Sequence, residues 1–459
     1  MQRTKNSMPM IKKILFLCMC SISTLYSQVP INGNMFAQNA WFYVKNPVQP
    51  NLSDMAPELI NAMPDVLASG VRYMRIGGID ANFYPLFDFN TSTQAINNAN
   101  RLVYLINAIR AESIEPIVTV GYNPVCSSLT GDGSFGTQTH SEQVTLAANL
   151  VEYLNDPLSS GYLGSGNEIE YWIISNEPDH DLNCSEPKGF GWQASSYASS
   201  ISTYLKDFSA AMKAKDPDIK IIGPELSRFG NDHGYNSGAG EYYNPSNEIM
   251  NQLISDPTMN ANSVMGKIGT NNYYYVDVVS FHYYPQNITG ASSVISDPTL
   301  VNDGFRYRLN PTSGKLSLLD MIANTGRTVD DLKIACTEFN IELQGSYVGP
   351  DEDTDFANMV NGYDSRSYVG GQWLAEMFAE AMATYDVNSA GKNECWVQFM
   401  APWSVTEGGC DQDSTESSVG YISNCSGHEG DKRSQYHHYK LLADYLDGDF
   451  FREQQQSLL

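Results

Sequence analysis

Two apolar runs in this chain each stop abruptly at a glutamate flanked by amide or hydroxyl side chains. They are Ile173-Ile174-Ser175-Asn176-Glu177-Pro178 and Ile334-Ala335-Cys336-Thr337-Glu338-Phe339-Asn340. Apolar runs of this length suit strands buried on both faces, as in a parallel sheet covered by helices. The full strand readings around them are Tyr171–Ser175 and Lys333–Thr337. Similar runs occur at Met35–Phe42, Arg72–Ile76, Pro116–Gly121, Ile219–Gly223, Val278–His282 and Cys395–Met400. Eight such runs alternating with helical periods predict an α/β fold, a (β/α)8 TIM barrel, rather than an open sheet.

Between the runs lie amphipathic patterns of 3.6-residue period. The first begins near Ser53, an N-cap residue type, continues through Leu59, Ile60, Val66 and Leu67, and stops at Gly70, with Pro64 expected to kink it. The next three carry Leu102, Val103, Leu105, Ile106 and Ile109, then Val144, Leu150, Val151 and Leu154, then Ile201, Tyr204, Leu205, Phe208 and Met212. Long connections at Leu226–Val276, Pro285–Asp331 and Ser404–Lys432 follow strands five, six and eight. All three leave the C-terminal ends of strands, the face on which barrels build their sites. Loops of that length wall a cleft or decorate a surface.

A chain of 459 residues is long enough for one such barrel with insertions. Its net charge of −25 argues against nucleic acid or an anionic membrane as partner, since both need clustered Lys and Arg. Lys12 and Lys13 precede the apolar stretch Ile14–Cys20, and small and polar residues then lead to Ser27-Gln28. That is the layout of a secretory signal peptide cleaved near Ser27, too short to anchor in a bilayer. The expected organisation is therefore a leader over 1–27 and a single catalytic domain over 28–459, in an exported protein without a transmembrane segment.

Cys410 and Cys425 bracket a polar loop and could pair, and Cys126 and Cys184 follow successive strands and could form a second disulfide. Cys336 and Cys395 lie inside strands and read as buried thiols. The spacings match no zinc site, and no cofactor is implied.

A glutamate ending the fourth strand and another ending the seventh face each other across a barrel mouth. Two carboxyls so placed are the minimum equipment for breaking a glycosidic bond. On these residues the chain resembles glycoside hydrolase clan A, the retaining barrel glycosidases, from the first strand to the eighth. In that clan an Asn-Glu pair ends strand four and the nucleophile ends strand seven. Arg75 in Met74-Arg75-Ile76-Gly77-Gly78 resembles the clan's strand-two arginine, and the Gly-Gly is similar to families 39, 51, 79 and 86. His282 and Tyr284 match the His-x-Tyr of strand six, and Trp403 resembles the aromatic floor of the sugar site. The insertions are unusually long for the clan, and the appended β-sandwich common in families 30, 39, 51 and 79 is not visible.

The resemblance implies Glu338 as nucleophile, oriented by Tyr284 and kept ionised by Arg75, and Glu177 as acid/base, kept protonated by burial and by repulsion from Glu338. Asn176 would bind the sugar 2-hydroxyl. Asp80, after the double glycine, could bind sugar hydroxyls or stabilise a turn. Asp179 and Glu342 are rival carboxyls, both placed in loops. Glu225, ending strand five, could line the cleft or form a structural salt bridge. Trp41, Tyr43, Tyr84, Tyr122, Tyr283 and Trp403 gather at the same strand ends, where aromatic planes can pack on sugar C–H faces.

The expected function is a secreted retaining β-glycoside hydrolase, endo-acting on a polysaccharide, with a red-algal galactan such as agar, porphyran or carrageenan favoured. Xylan- or mannan-type action, exo action, or a non-catalytic carbohydrate-binding barrel are the alternatives. A serine hydrolase is set aside because no Gly-x-Ser-x-Gly follows any strand.

Overall fold

The computed structural model describes residues 35–40, 57–77, 93–120, 139–179, 194–227, 229, 235–236, 242–243, 245–284, 309, 317–340, 368–406, 420–423 and 429–446. Within them, eight strands form one parallel sheet: β1 (Ala37–Ala40), β2 (Tyr73–Ile76), β3 (Glu115–Val120), β4 (Tyr171–Ile174), β5 (Lys220–Leu226), β6 (Val278–Tyr283), β7 (Lys333–Phe339) and β8 (Val397–Pro402). They pair in chain order, and a parallel bridge from Phe36 to Met400 links the last strand to the first. Each strand is followed by a helix: α1 (Pro57–Ala68), α2 (Thr93–Ala111), α3 (His140–Asn155), α4 (Ala194–Lys215), α5 (Pro245–Leu253), α6 (Leu318–Ala323), α7 (Tyr368–Met382) and α8 (Ser434–Tyr445). The fold is a (β/α)8 barrel.

Side-chain alternation explains why the strands read as continuous apolar runs. One face of each points outward into the layer of helices, where Met74, Val118, Trp172, Ile221, Phe281 and Ile334 join one large core. The other face points into the barrel, where Ala37, Ile117, Ile173, Ile222, Val278, Ala335 and Phe399 form a second, enclosed cluster, with Tyr73 and Tyr171 against it. Tyr73, Tyr171 and Phe399 pack ring to ring at centroid distances of 4.8–5.7 Å and plug the base. Two residues further along the strands the inward positions turn polar: Asn39, Arg75, Thr119, Ser280 and Thr337, all buried. The apolar plug thus gives way to a polar layer within one side-chain step.

Local signals behave as their chemistry requires. Thr139 and Glu142 form a reciprocal capping box at the start of α3, as do Ser317 and Asp320 at α6. Gly70, at φ +91°, ends the turn after α1, and Pro64 lies inside that helix. Position Ser53 lies outside the described residues. Most strand ends differ from the sequence reading by one to three residues, and β7 runs past Thr337 to Phe339, taking in Glu338. Strand β5 continues past Gly223 to Leu226 through a register irregularity, and Cys395 belongs to an antiparallel hairpin (Tyr385–Val387 with Asn393–Cys395) that leads into β8. Among the described residues, Cys336 and Cys395 are free, buried thiols. Cys126, Cys184, Cys410, Cys425 and the leader lie outside them. No helix among the described residues is long and apolar enough to cross a membrane.

Candidate active site

The polar layer gathers around Arg75, which is fully buried on β2. Its Nη1 donates to Asn39 Oδ1 at 2.9 Å and to Glu338 Oε1 at 2.6 Å, and its Nη2 donates to Asn176 Oδ1 at 2.6 Å and to Glu225 Oε2 at 2.9 Å. One planar guanidinium therefore fixes groups from β1, β5, β7 and the end of β4, which a point-charge lysine could not reproduce. Asn39 also donates from Nδ2 to the carbonyls of Thr337, Ala401 and Pro402, closing the seam between β8 and β1.

His282, on β6, is the second hub. Its Nδ1 lies 2.8 Å from Glu177 Oε1 and 3.3 Å from Glu338 Oε2, and its Nε2 lies 3.1 Å from Glu225 Oε2. An oxygen from each of Glu177 and Glu338 and a ring nitrogen of His282 all lie within 4.8 Å of one another. The carboxyls delivered by β4 and β7 thus share one hollow. Such a trio could also hold a metal ion, yet the guanidinium already on Glu338 opposes a second cation there.

Tyr284 donates its hydroxyl to Glu338 Oε2 at 3.2 Å and packs with Trp403 in a small apolar cluster of their own. The Glu338 side chain is 7% exposed and that of Glu177 is 15% exposed, so the latter faces the open side. Backbone geometry aims these groups: Ser175, Glu177 and Glu225 all adopt left-handed conformations (φ 73°, 45° and 60°), and the Glu177 amide donates to the Glu225 carbonyl at 3.1 Å.

Electrostatics follow from burial. Desolvation on its own would lower the His282 pKa, but the Glu338 charge and the hydrogen bonds to Glu177 and Glu225 raise it from 6.5 to about 10. Burial likewise opposes ionisation of Glu225, but Arg75 and His282 overcome it and hold that carboxyl at about 2. For Glu338 burial is the largest influence and leaves its pKa raised; His282 and Arg75 pull it down, while Glu177 and Glu225 push it up. Arg75 therefore favours ionised Glu338, as the sequence suggests, without outweighing the cost of burial.

The structure brings Arg75, Asn176, Glu177, His282, Tyr284, Glu338 and Trp403 into this one region. Asp80, Glu342, Trp41, Tyr43, Tyr84 and Tyr122 lie outside the described residues. Asp179 is buried and accepts from the Ser227 amide at 2.7 Å, tying the turn after β4 to the end of β5. Asn39 was not singled out from sequence, and its only signal is a polar side chain inside an apolar run. Glu225 is more central than its position suggested. It sits within β5, wholly buried, and meets three other strands through its side chain.

No protein-family model matches the chain, and no curated protein matches its sequence. Solved structures do resemble it. A monomeric beta-xylosidase from Caulobacter crescentus CB15 aligns with a TM-score of 0.51 and 15% identity, over 91% of this chain and 70% of that one. A GH39 beta-xylosidase from Caulobacter crescentus aligns with a TM-score of 0.47 and 16% identity, over 92% of this chain and 73% of that one. An exo-beta-1,4-mannosidase from Opitutaceae bacterium strain TAV5 gives 0.49 and 12%, over 92% and 60%. The first of these likenesses establishes the shared barrel; chemistry has to be argued from the site itself.

Proposed function

We propose that this chain is a retaining β-glycoside hydrolase of the clan A type, with Glu338 as nucleophile and Glu177 as acid/base. The observation that carries the reading is the approach of one carboxyl oxygen of each to within 4.8 Å, together with a ring nitrogen of His282. Retaining enzymes hold the two carboxyls about 5–5.5 Å apart, whereas inverting enzymes need about 6.5–9.5 Å to admit a water between them.

Glu338 attacks the anomeric carbon as the bond to the leaving oxygen breaks, and Glu177 gives that oxygen its proton. Water then attacks the same carbon, Glu177 takes the water's proton, and the bond to Glu338 breaks to release the sugar. The donors on Glu338 are Arg75 and Tyr284, which orient one oxygen each. In this reading Asn176, whose Oδ1 accepts from Arg75, binds the 2-hydroxyl, and Trp403 packs on an apolar sugar face.

The wider reading is a leader over 1–27 and one catalytic domain over 28–459, exported and endo-acting on a polysaccharide, with a red-algal galactan favoured. The strongly acidic chain suits a weakly charged polymer better than a densely sulfated one. The test is a panel of agar, porphyran, carrageenan, xylan and mannan, with aryl β-xylosides and β-mannosides added, scored by new reducing ends. Proton NMR of the first product should show the β-anomer before mutarotation. An α-anomer appearing first, or no cleavage of any β-glycoside, would sink the proposal.

A further inference from the structure

We propose that Glu225 is a positioning residue for this reaction, a buried carboxylate that keeps His282 an imidazolium and so orients Glu177 for proton delivery. The inference rests on the glycosidase reading of Glu177 and Glu338. Glu225 is wholly buried and so does not touch substrate. Its Oε2 accepts from Arg75 and lies 3.1 Å from His282 Nε2, and its Oε1 accepts from Thr337 Oγ1 at 2.7 Å. Its own amide donates to Ser280 Oγ at 3.2 Å, and its carbonyl holds the Glu177 amide.

An ionised carboxylate can only accept hydrogen bonds, so Nε2 must carry a proton. Among the described residues, the titratable groups facing His282 and Glu225 are Arg75 from β2, Glu177 after β4, Tyr284 after β6, and Cys336 and Glu338 from β7. Burial keeps the Cys336 thiol neutral, and Tyr284 acts as a donor. Two buried anions, Glu225 and Glu338, therefore need two cations. Arg75 is one, and His282 is the other.

A charged ring has a proton on Nδ1 as well, and that proton points at Glu177 Oε1, 2.8 Å away. Glu177 Oε1 is then an acceptor, and its acidic proton sits on Oε2. In the free site Arg75 and His282 balance Glu225 and Glu338. Once Glu338 is esterified and Glu177 has lost its proton, the same two cations balance Glu225 and Glu177. The cluster stays neutral in both halves of the double displacement, which avoids an uncompensated buried charge. Were the ring neutral, bare Nδ1 would draw the acidic proton towards itself and away from the leaving oxygen.

The test combines spectroscopy with kinetics on the full chain. In 15N-histidine-labelled protein, with the resonance assigned by its loss in His282→Gln, both ring nitrogens should stay protonated from about pH 6 to about pH 9. In Glu225→Gln the ring should lose one proton by about pH 7. The same variant should turn over substrates with a sugar leaving group at least about tenfold more slowly, yet change glycosylation by a dinitrophenyl glycoside, which needs no acid, less than about threefold. Equal losses on both substrates would assign Glu225 a merely structural role. A wild-type ring that deprotonates near its ordinary value overturns the proposal even if Glu225→Gln does not fold. Absence of any glycoside turnover by the wild type defeats the hydrolase reading, while the 15N result still reports on the Glu225–His282 pair.

Discussion

Replacing His282 by glutamine should change how stability depends on pH above neutrality. The folded pKa of His282 is about 10 against 6.5 unperturbed, because Glu338, Glu177 and Glu225 together overcome the penalty of burial. A raised folded pKa means that the stabilisation is fully present below the unfolded pKa and is lost as pH rises through the folded one. The shift of about three and a half pH units corresponds to about 5 kcal/mol at most, and the slope between the two values is about 1.4 kcal/mol per pH unit. From pH 7 to pH 9 the wild type should therefore lose about 2–3 kcal/mol that His282→Gln does not lose. Relaxation and water entry into the cluster reduce the figure towards about 1 kcal/mol.

Urea unfolding of both proteins at half-unit pH steps reads this directly, as midpoints multiplied by a common slope. The variant starts less stable, since Glu225 loses its partner at Nε2, and the gap between the two proteins narrows as pH rises. Other groups that titrate in this window, such as the amino terminus, are common to both proteins and cancel in the difference. Parallel curves from pH 7 to 9 would refute the reasoning, because they would mean that His282 binds no extra proton in the folded state.

Azide separates the two glutamates. In Glu177→Ala it should restore turnover of an activated glycoside and give the β-glycosyl azide, whereas in Glu338→Ala it should give the α-azide, and product NMR distinguishes them. Glu177→Gln and Glu338→Gln should each cut turnover of natural substrate by about a thousandfold or more, while the thermal melt stays near that of the wild type. Since the Glu338 pKa is raised and the nucleophile must be ionised, kcat/KM should fall on acidification at a pH above the ordinary glutamate value of 4.5; a limb at or below that value contradicts the burial argument. Gly371→Ala would put a Cβ 2.2 Å from His438 Nδ1 and 2.6 Å from Ser434 Oγ, forcing α7 and α8 apart at a cost of about 1–3 kcal/mol, read by chemical denaturation.

The barrel was legible because its strands are buried on both faces and its helices on one, so the two periods alternate visibly along the chain. The runs Tyr171–Ser175 and Lys333–Thr337 needed no tertiary information to be found, and they overlap the strands Tyr171–Ile174 and Lys333–Phe339. The two glutamates were legible because each interrupts such a run. Glu225 was harder to place. The apolar run leading to it ends at Gly223, whereas β5 passes through Gly223-Pro224-Glu225 with a register shift and a left-handed residue before regaining its pairing at Leu226. Asn39 showed in the sequence only as a polar residue inside the run Met35–Phe42, and its pairing with Arg75 across β1 and β2 reveals its place. The balance at Glu338 was not readable either, since it depends on how far burial outweighs two cations.

The left-handed conformations at Ser175, Glu177 and Glu225 bear on why the site is built this way. Each costs of order 1–3 kcal/mol for a residue with a side chain, and none of the three is glycine. Two of them are tied together directly, as the Glu177 amide donates to the Glu225 carbonyl. Straightening either backbone would rotate a carboxylate away from His282, and Glu225 would leave Arg75 as well. The buried ion pairs of Arg75 and His282 therefore offset the strain, and the strain in turn sets the directions from which those charges meet. The rings of Tyr73, Tyr171 and Phe399 pack beneath them, and Arg75, Glu225 and His282 are wholly buried, so the cluster's charges interact through a poorly screening interior. Rigidity, strain and charge are thus one arrangement: removing Glu225 weakens all three, whereas removing Tyr284 takes away a donor to Glu338 and its packing on Trp403 but leaves the Arg75 and His282 ion pairs with Glu225 in place.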